Sequence, residues 1–471
     1  MLTFNLDSNS KTPLYEQLYY RIRNELETGG IKSGEKLPSK RELASHLKVS
    51  VVTVETAYSQ LAAEGYITSR PGSGFYAEAV QYRTQPENSS IYIPEKSCCR
   101  NYKYNFKTNM VDTGLFPFST WAKLSRETLS EQSPELLSAC DSRGIYELRL
   151  EISDYLKSFR GIEVHPDQVI IGAGSEYLTG LIIQLLGRNL VYGIENPGYT
   201  KIFKIFNSHC LKILPIPMDE LGAECGFIKN SQADAVHITP SHHFPLGTAM
   251  PVSRRTEILN WAYSSPNRYI IEDDYDSELR LSGKPFPTLQ SIDVSGKVIY
   301  MNTFTKTLAS TVRISYMVLP EDLAKRFYSE LSFYSCTVSN FEQYTLAQFM
   351  ENGSFEKHIN RLRNYYQNKR DAILKELKSG SIGKYITIQE EEAGVHFLMH
   401  IQSDCTEAEI VEKAKAGGVK LDPLSRYYIK NTEKHEQNGQ ENPYENTYVM
   451  NYSSVNMENI KKVVQVLSQL G

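Results

Sequence analysis

Two short apolar runs, Tyr269-Ile270-Ile271 and Val298-Ile299-Tyr300, constrain this chain most, because each is bounded too closely for a helix and ends in polar chemistry. Such runs are strands covered on both faces in an open α/β sheet, and ligands bind these sheets outside the carboxyl ends of the strands. The first run ends in Glu272-Asp273-Asp274-Tyr275-Asp276. The second ends in Thr303-Phe304-Thr305-Lys306, with Arg313 seven positions further on.

A carboxylate at one strand end, a lysine at another and an arginine nearby suit pyridoxal 5′-phosphate (PLP), whose three reactive ends need three different partners. A lysine amine condenses with the aldehyde as a Schiff base, a carboxylate keeps the pyridine nitrogen protonated, and an arginine pairs with the phosphate. Lys306, Asp273 and Arg313 are expected in those roles. Taken singly, each reads as a solvated charge; the ordered set points to the cofactor.

The runs IIEDDYDSE, TPSHHFPLGTAMPVSRR and RISYMVLP resemble fold-type I aminotransferases and, more closely, the aminotransferase-like domain of MocR/GabR-type regulators. That resemblance implies an α/β fold: the PLP-dependent transferase fold of type I, a mostly parallel sheet with helices on both faces and a small C-terminal α+β subdomain.

Composition excludes several other classes. With 471 residues the chain has room for two to four domains, and its formal charge of -4 is that of an ordinary globular protein. No apolar run approaches the roughly 20 residues of a membrane span, and the start, Met1-Leu2-Thr3-Phe4, has no signal-peptide pattern. A cytoplasmic protein without membrane partners is expected. Seven cysteines with no CxxC pair, two of them adjacent at Cys98-Cys99, suit neither a disulfide framework nor a metal site.

In residues 1–80, Leu14, Leu18, Ile22 and Leu26 recur every four positions and predict a helix stopped at Gly29-Gly30. Ser39-Lys40-Arg41-Glu42 has the pattern of a capping box. Ser50 caps a second short helix predicted over 51–64, and residues 66–76 alternate around a glycine-bearing turn. Two helices joined by a tight turn and followed by a two-stranded wing form a winged helix-turn-helix. The run LPSKRELASHLKVSVVTVETAYSQLAAEGYITSRPGSGFY resembles the GntR-type DNA-binding domain, with Val51 where many members carry arginine. The resemblance implies a double-stranded DNA operator as partner, and Lys40, Arg41, Ser50, Thr53, Arg70 and Gly72 are the expected contacts. Nine cations balance nine acids over these residues. Phosphate attraction must therefore come from a local basic face, aided by pairing of two copies.

A polar, proline-bearing linker is expected over residues 81–104, although Ile91-Tyr92-Ile93 also suits an extended arm, and the effector domain over 105–471, its small subdomain starting near 386. Val169-Ile170-Ile171-Gly172-Ala173-Gly174-Ser175-Glu176 reads as a strand running into a helix start, which makes Gly174, Ser175 and Glu176 the expected phosphate cradle. The resemblance adds Tyr199 at the cofactor ring, with Tyr275, Thr303 and Ser241 as further cofactor contacts. Phe244 stands where aminotransferases usually have an asparagine that donates to the cofactor.

Family enzymes also grip the substrate carboxylate with an arginine near the carboxyl end, and this chain has none after Arg426. The corresponding stretch reads Val449-Met450-Asn451-Tyr452-Ser453-Ser454-Val455. Lys201 and Arg426 are the remaining effector-binding cations. The expectation is a homodimeric, PLP-dependent transcription regulator of the MocR/GabR type, with at most weak transaminase activity, that senses PLP itself (vitamin B6 supply) or a small amino compound through an aldimine at Lys306. The alternative is a working aminotransferase with an accessory DNA-binding domain. A PLP-free scaffold is disfavoured by the intact lysine.

Overall fold

The computed structural model describes residues 4–8, 10, 12–79, 104–106, 112–130, 133–281, 283, 286–389, 394–429, 444–453 and 455–470. The chain divides into two compact units, residues 1–99 and 100–471. The linker expected over 81–104, with Ile91-Tyr92-Ile93 and Cys98-Cys99, lies outside the described residues except for Tyr104.

In the smaller unit, α1 (Leu14–Thr28) buries Leu18, Ile22 and Leu26 and stops at Gly29, whose left-handed backbone (φ 82°) suits a residue without Cβ. α2 (Lys40–Leu47) begins at Ser39, whose hydroxyl accepts the Glu42 N–H. α3 (Val51–Ala63) begins at Ser50, which accepts the Thr53 N–H at 3.1 Å and shares a hydroxyl bond with Thr53 at 2.8 Å. The helix predicted over 51–64 thus stops one residue early, with Glu64 as its cap. β1 (Ile67–Arg70) pairs antiparallel with β2 (Gly74–Ala77), Arg70 opposite Gly74, around a turn in which Gly72 has φ 74°. Leu43, Val54, Ala57, Tyr58, Leu61 and Ile67 close the core.

The larger unit is organised by a sheet whose strands, in chain order, are β4 (Val169–Gly172), β5 (Val191–Asn196), β6 (Lys212–Asp219), β7 (Gly222–Ala223), β8 (Ala235–Ile238), β9 (Tyr269–Asp273), β10 (Val298–Thr303) and β11 (Ser315–Val318), β3 (Tyr104–Asn105) lying apart from it. Their spatial order is β4-β11-β10-β9-β8-β5-β6-β7. β10, β9, β8, β5 and β6 run parallel, whereas β11 is antiparallel to both β10 and β4. Alternate residues serve opposite faces: Val169 and Ile171 join one cluster with Tyr316 and Val318, while Ile170 and Met317 join another. Helices cover both faces, which explains why the strands read as continuous apolar runs.

A three-stranded antiparallel sheet follows, with β13 (His396–Ile401) between β12 (Ile386–Gln389) and β15 (Thr447–Asn451). β14 (Val419–Lys420) pairs with β3. Among the described residues no helix is long and apolar enough to cross a membrane.

Arg255 ties the strand ends together. It has no solvent exposure, and it donates to the carbonyls of Met250 (2.9 Å), Pro287 (2.7 Å) and Pro240 (2.7 Å), with Glu272 at 3.8 Å. Arg255→Met keeps the bulk but leaves three buried carbonyls without their donor and a buried carboxylate without its counter-charge, a class of change that costs about 3–5 kcal/mol. Urea unfolding of the larger unit should show that loss; a loss below about 1 kcal/mol, the scale of an exposed ion pair, would contradict the staple.

Candidate functional site

The carboxyl ends of β5, β8, β9 and β10 open into a cavity of about 240 Å³. Its lining includes Asp273 from the end of β9, Lys306 three residues past β10, Arg313 before β11, and Gly174, Ser175 and Glu176 at the start of the helix Ser175–Leu186. Parallel pairing sets Asp273 beside Met301 and Ile271 beside Ile299, so the lysine turn and the carboxylate emerge from neighbouring strands on one edge.

The three acids after Ile271 have separate fates. Glu272 has no exposure and accepts the N–H groups of Leu289 and Gln290 at 2.8 and 2.9 Å. Asp274 forms an ion pair with Arg160 at 2.8 Å, both side chains about 1% exposed, and accepts the hydroxyls of Ser277 and Tyr300. Asp273 alone of the three lines the cavity, 3.5 Å from His237 Nε2.

Lys306 is buried, and burial pushes its amine down to about 8, the negative charge of Asp276 opposing that fall. A minority of the amine, far larger than for an ordinary lysine, is therefore neutral and nucleophilic near physiological pH. Asp276 is held in turn by His242 Nδ1 at 2.8 Å. Thr303, at the head of the lysine turn, braces it: its hydroxyl donates to Thr305 Oγ1 and accepts from Ser315 Oγ, both at 2.8 Å.

The opposite end of the cavity suits an anion. Gly174 has φ 98°, and a Cβ there would lie 2.5 Å from Arg313 Nη2, so only glycine lets the guanidinium approach. The helix beginning at Ser175 has no side-chain cap, which leaves first-turn amides open. Arg313 sits in the left-handed region (φ 53°), donates to Ala173 O at 3.2 Å, and stays about half exposed. Cradle, carboxylate and buried amine together match the phosphate, ring nitrogen and aldehyde of PLP.

Several expected contacts are placed differently. Ser241 does not line this cavity; it accepts from Arg160 at 3.0 Å in the layer behind it. The Glu176 carboxylate takes Lys201 and, at 3.7 Å, Arg313, so only its backbone can serve an anion, and Lys201 already carries a counter-ion. Arg426 lies outside the cavity lining, largely exposed and 3.4 Å from Asp422. Tyr275 and Tyr199 do line it, the Tyr275 hydroxyl 3.2 Å from His242 Nδ1. Phe244 sits among aromatic rings, 5.9 Å from Tyr199, 5.1 Å from Tyr427 and 5.3 Å from His396.

Sequence reading missed His237, Asp276, His396 and Asn451, all in the lining. Asp276 was legible as the fourth acid of the strand end. His396 and Asn451 come from β13 and β15, and they face each other across that sheet in a register that only the fold reveals.

In the smaller unit, Arg41, Ser50, Arg70 and Gly72 are exposed at α2, the start of α3 and the wing. Lys40 is bound by Glu55 at 2.6 Å, and the Arg70 guanidinium lies 4.3 Å from the centre of the Tyr76 ring. Ser50 and Thr53 spend their hydroxyls on the helix cap.

Comparison with known proteins agrees with both units. Residues 14–77 match the family described as bacterial regulatory proteins, gntR family, and residues 103–431 match aminotransferase class I and II. The chain is 40% identical over 460 residues to YdeL, an HTH-type transcriptional regulator of Bacillus subtilis, covering 97% of this chain and 96% of that one. It is 30% identical over 378 residues to PdxR, the HTH-type pyridoxine biosynthesis transcriptional regulator of Corynebacterium glutamicum, covering 79% and 80%. Among solved structures it is similar to a multiple substrate aminotransferase from Thermococcus profundus, with TM-score 0.67 and 25% identity over 78% of this chain and 90% of that one.

Competitive labelling with a limiting pulse of acetic anhydride, on protein stripped of carbonyl compounds, should give Lys306 a reactivity midpoint of about 8. Below that pH the amine is protonated and inert, and above it reacts. A midpoint shared with the exposed lysines would contradict a buried, partly neutral amine.

Proposed function

This chain belongs to the HTH-type transcriptional regulators that join a GntR-family domain to an aminotransferase class I and II domain, and from that premise we propose that it binds PLP on Lys306 and that PLP itself is its signal. Lys306 would carry the cofactor, Asp273 would hold the proton on the ring nitrogen, and Arg313 with the amides after Gly174 would take the phosphate. When bound, PLP supplies an aldehyde that captures amines and a ring that accepts electrons.

The observation that carries the choice of signal is the fate of the substrate-side cations. The stretch from Val449 to Val455, in which family enzymes place an arginine, holds no lysine or arginine, and Val449 within it is fully buried among Leu246, Leu398, Leu424 and Tyr427. Among the described residues the lysines and arginines of the lining are Lys201, Lys306 and Arg313. The first is paired with Glu176, and the others would be engaged by the cofactor. His396 adds no charge, since burial holds its imidazole well below the usual range. An amino-acid carboxylate entering here loses its hydration without a bidentate partner, which is costly. The name of the PdxR relative, a regulator of pyridoxine biosynthesis, supports the same reading. The alternative of a working aminotransferase draws on the same Lys306, Asp273 and Arg313, and it requires multiple turnover with a keto acid.

We place the protein in the cytoplasm as a homodimer, because a DNA-binding unit with no net charge gains from a second copy. Leu137 and Phe333, 83% and 74% exposed in the larger unit, supply apolar surface for such an interface. Arg41 and Arg70 are the phosphate or groove contacts of the smaller unit.

With a duplex selected from random DNA, PLP alone should change operator affinity and footprint, and adding an L-amino-acid mixture should change neither further. Arg70→Ala should weaken binding and lower the salt slope by about 1. If PLP leaves affinity unchanged while an amino acid shifts it, the signal is an amine and not the cofactor.

A further inference from the structure

Cys140 and Cys336 come from segments far apart in sequence and meet beside the turn that carries the phosphate cradle. Their sulfurs share one hydrogen-bond donor, the side-chain amide of Gln343. Both are half-buried, and each has exposed chain neighbours, Ala139 on one side and Ser335 and Thr337 on the other. The amide of Gln343 holds the pair: Nε2 lies 3.8 Å from Cys140 Sγ and 3.6 Å from Cys336 Sγ. Gln343 has no exposure and is itself fixed, donating to Val338 O at 2.9 Å and accepting the Ile145 N–H at 2.9 Å. A buried amide pinned at both ends gives the two sulfurs a fixed meeting point.

The two thiols are not equivalent. The Cys336 thiol donates to Ile171 O at 3.8 Å, which engages its proton, whereas Cys140 Sγ only accepts, from the Gln343 amide at 3.8 Å, a contact that favours its thiolate. One thiol inclined to ionise beside one that stays protonated is the arrangement of an attacking and a resolving cysteine. Cys225, by contrast, is buried and pushed up to about 12, as expected of an inert core thiol.

We propose that Cys140 and Cys336 form a redox-active dithiol that a peroxide oxidises to an intramolecular disulfide. The Cys140 thiolate attacks one peroxide oxygen and breaks the O–O bond, giving a sulfenic acid and hydroxide, which is protonated to water. The Cys336 sulfur then attacks the Cys140 sulfur, and the sulfenic oxygen leaves as a second water with the thiol proton. Both sulfurs are oxidised and the peroxide is reduced, so hydrogen peroxide and two thiols give one disulfide and two waters.

The oxidised pair would act on the cavity through its neighbours. Cys336 Sγ lies 3.8 Å from Ile171 O at the end of β4, the Thr337 hydroxyl accepts the Ala173 N–H at 2.9 Å, and Arg313 donates to Ala173 O. A bond that draws Cys336 toward Cys140 therefore pulls on the 171–174 turn. This consequence rests on the PLP reading of the cavity, while the disulfide does not.

The test is a peptide map of the full-length protein titrated with hydrogen peroxide, alkylated under non-reducing conditions. The expected result is a linked pair of peptides containing Cys140 and Cys336, lighter by two hydrogens than the sum of the reduced peptides. It should disappear in Cys140→Ser and Cys336→Ser and reverse with dithiothreitol. Both cysteines remaining alkylatable while exposed Cys210 oxidises, or Cys140 passing to sulfinic acid without a cross-link, would overturn the proposal. In parallel, PLP affinity should differ between oxidised and reduced wild type and not in Cys140→Ser. A disulfide that leaves PLP affinity unchanged would refute the coupling to the cradle, and failure of PLP to bind the reduced protein would instead refute the cofactor reading.

Discussion

The parallel register of β9 against β10 is the constraint on which the larger unit depends. It sets Asp273 level with Met301 and lets the next turn bring Lys306 to the same edge. A slip of one residue would exchange the two faces of a strand, sending Asp273 into the core and Glu272 or Asp274 into the cavity. The apolar clusters on both sides of the sheet forbid that slip, because Ile271 and Ile299 pack on one side while Ile270 and Val298 pack on the other. Hydrophobic burial thus decides which carboxylate is chemical.

The same register creates a liability that the fold meets with arginines. Glu272 and Asp274 are sealed in the interior, and desolvation pushes Glu272 up to about 7. Arg255 and Arg160, both almost wholly buried, are the counter-charges. They contribute little net stability as ion pairs. Their weight lies in the carbonyls that Arg255 ties, which fasten the loop after β8 to the segment before β10.

Much of this was legible in sequence because the signals were local. The four-residue apolar spacing of α1, the serine caps of α2 and α3, and the turn glycines of the wing are short-range physics, and the two apolar runs announced adjacent strands. The long resemblance carried the rest of the fold. Contacts made at a distance were illegible: nothing near Ser241 signals that Arg160 claims its hydroxyl, and nothing near Lys201 signals that Glu176, 25 residues earlier, neutralises it. Asn451 and His396 enter the cavity only through the register of β15 on β13. The missing arginine was visible as an absence, and the structure adds that Val449, within that stretch, belongs to an apolar cluster.

Signalling through PLP requires that the buried amine at the strand edge be the group that takes the cofactor. The direct measurement is to load the protein with PLP, reduce it with borohydride, and find the modified residue by peptide mass spectrometry. A single phosphopyridoxyl group on the peptide containing Lys306, absent in Lys306→Ala while that variant keeps the native unfolding transition, is the predicted result. The same group on another lysine, or scattered over several, would contradict it.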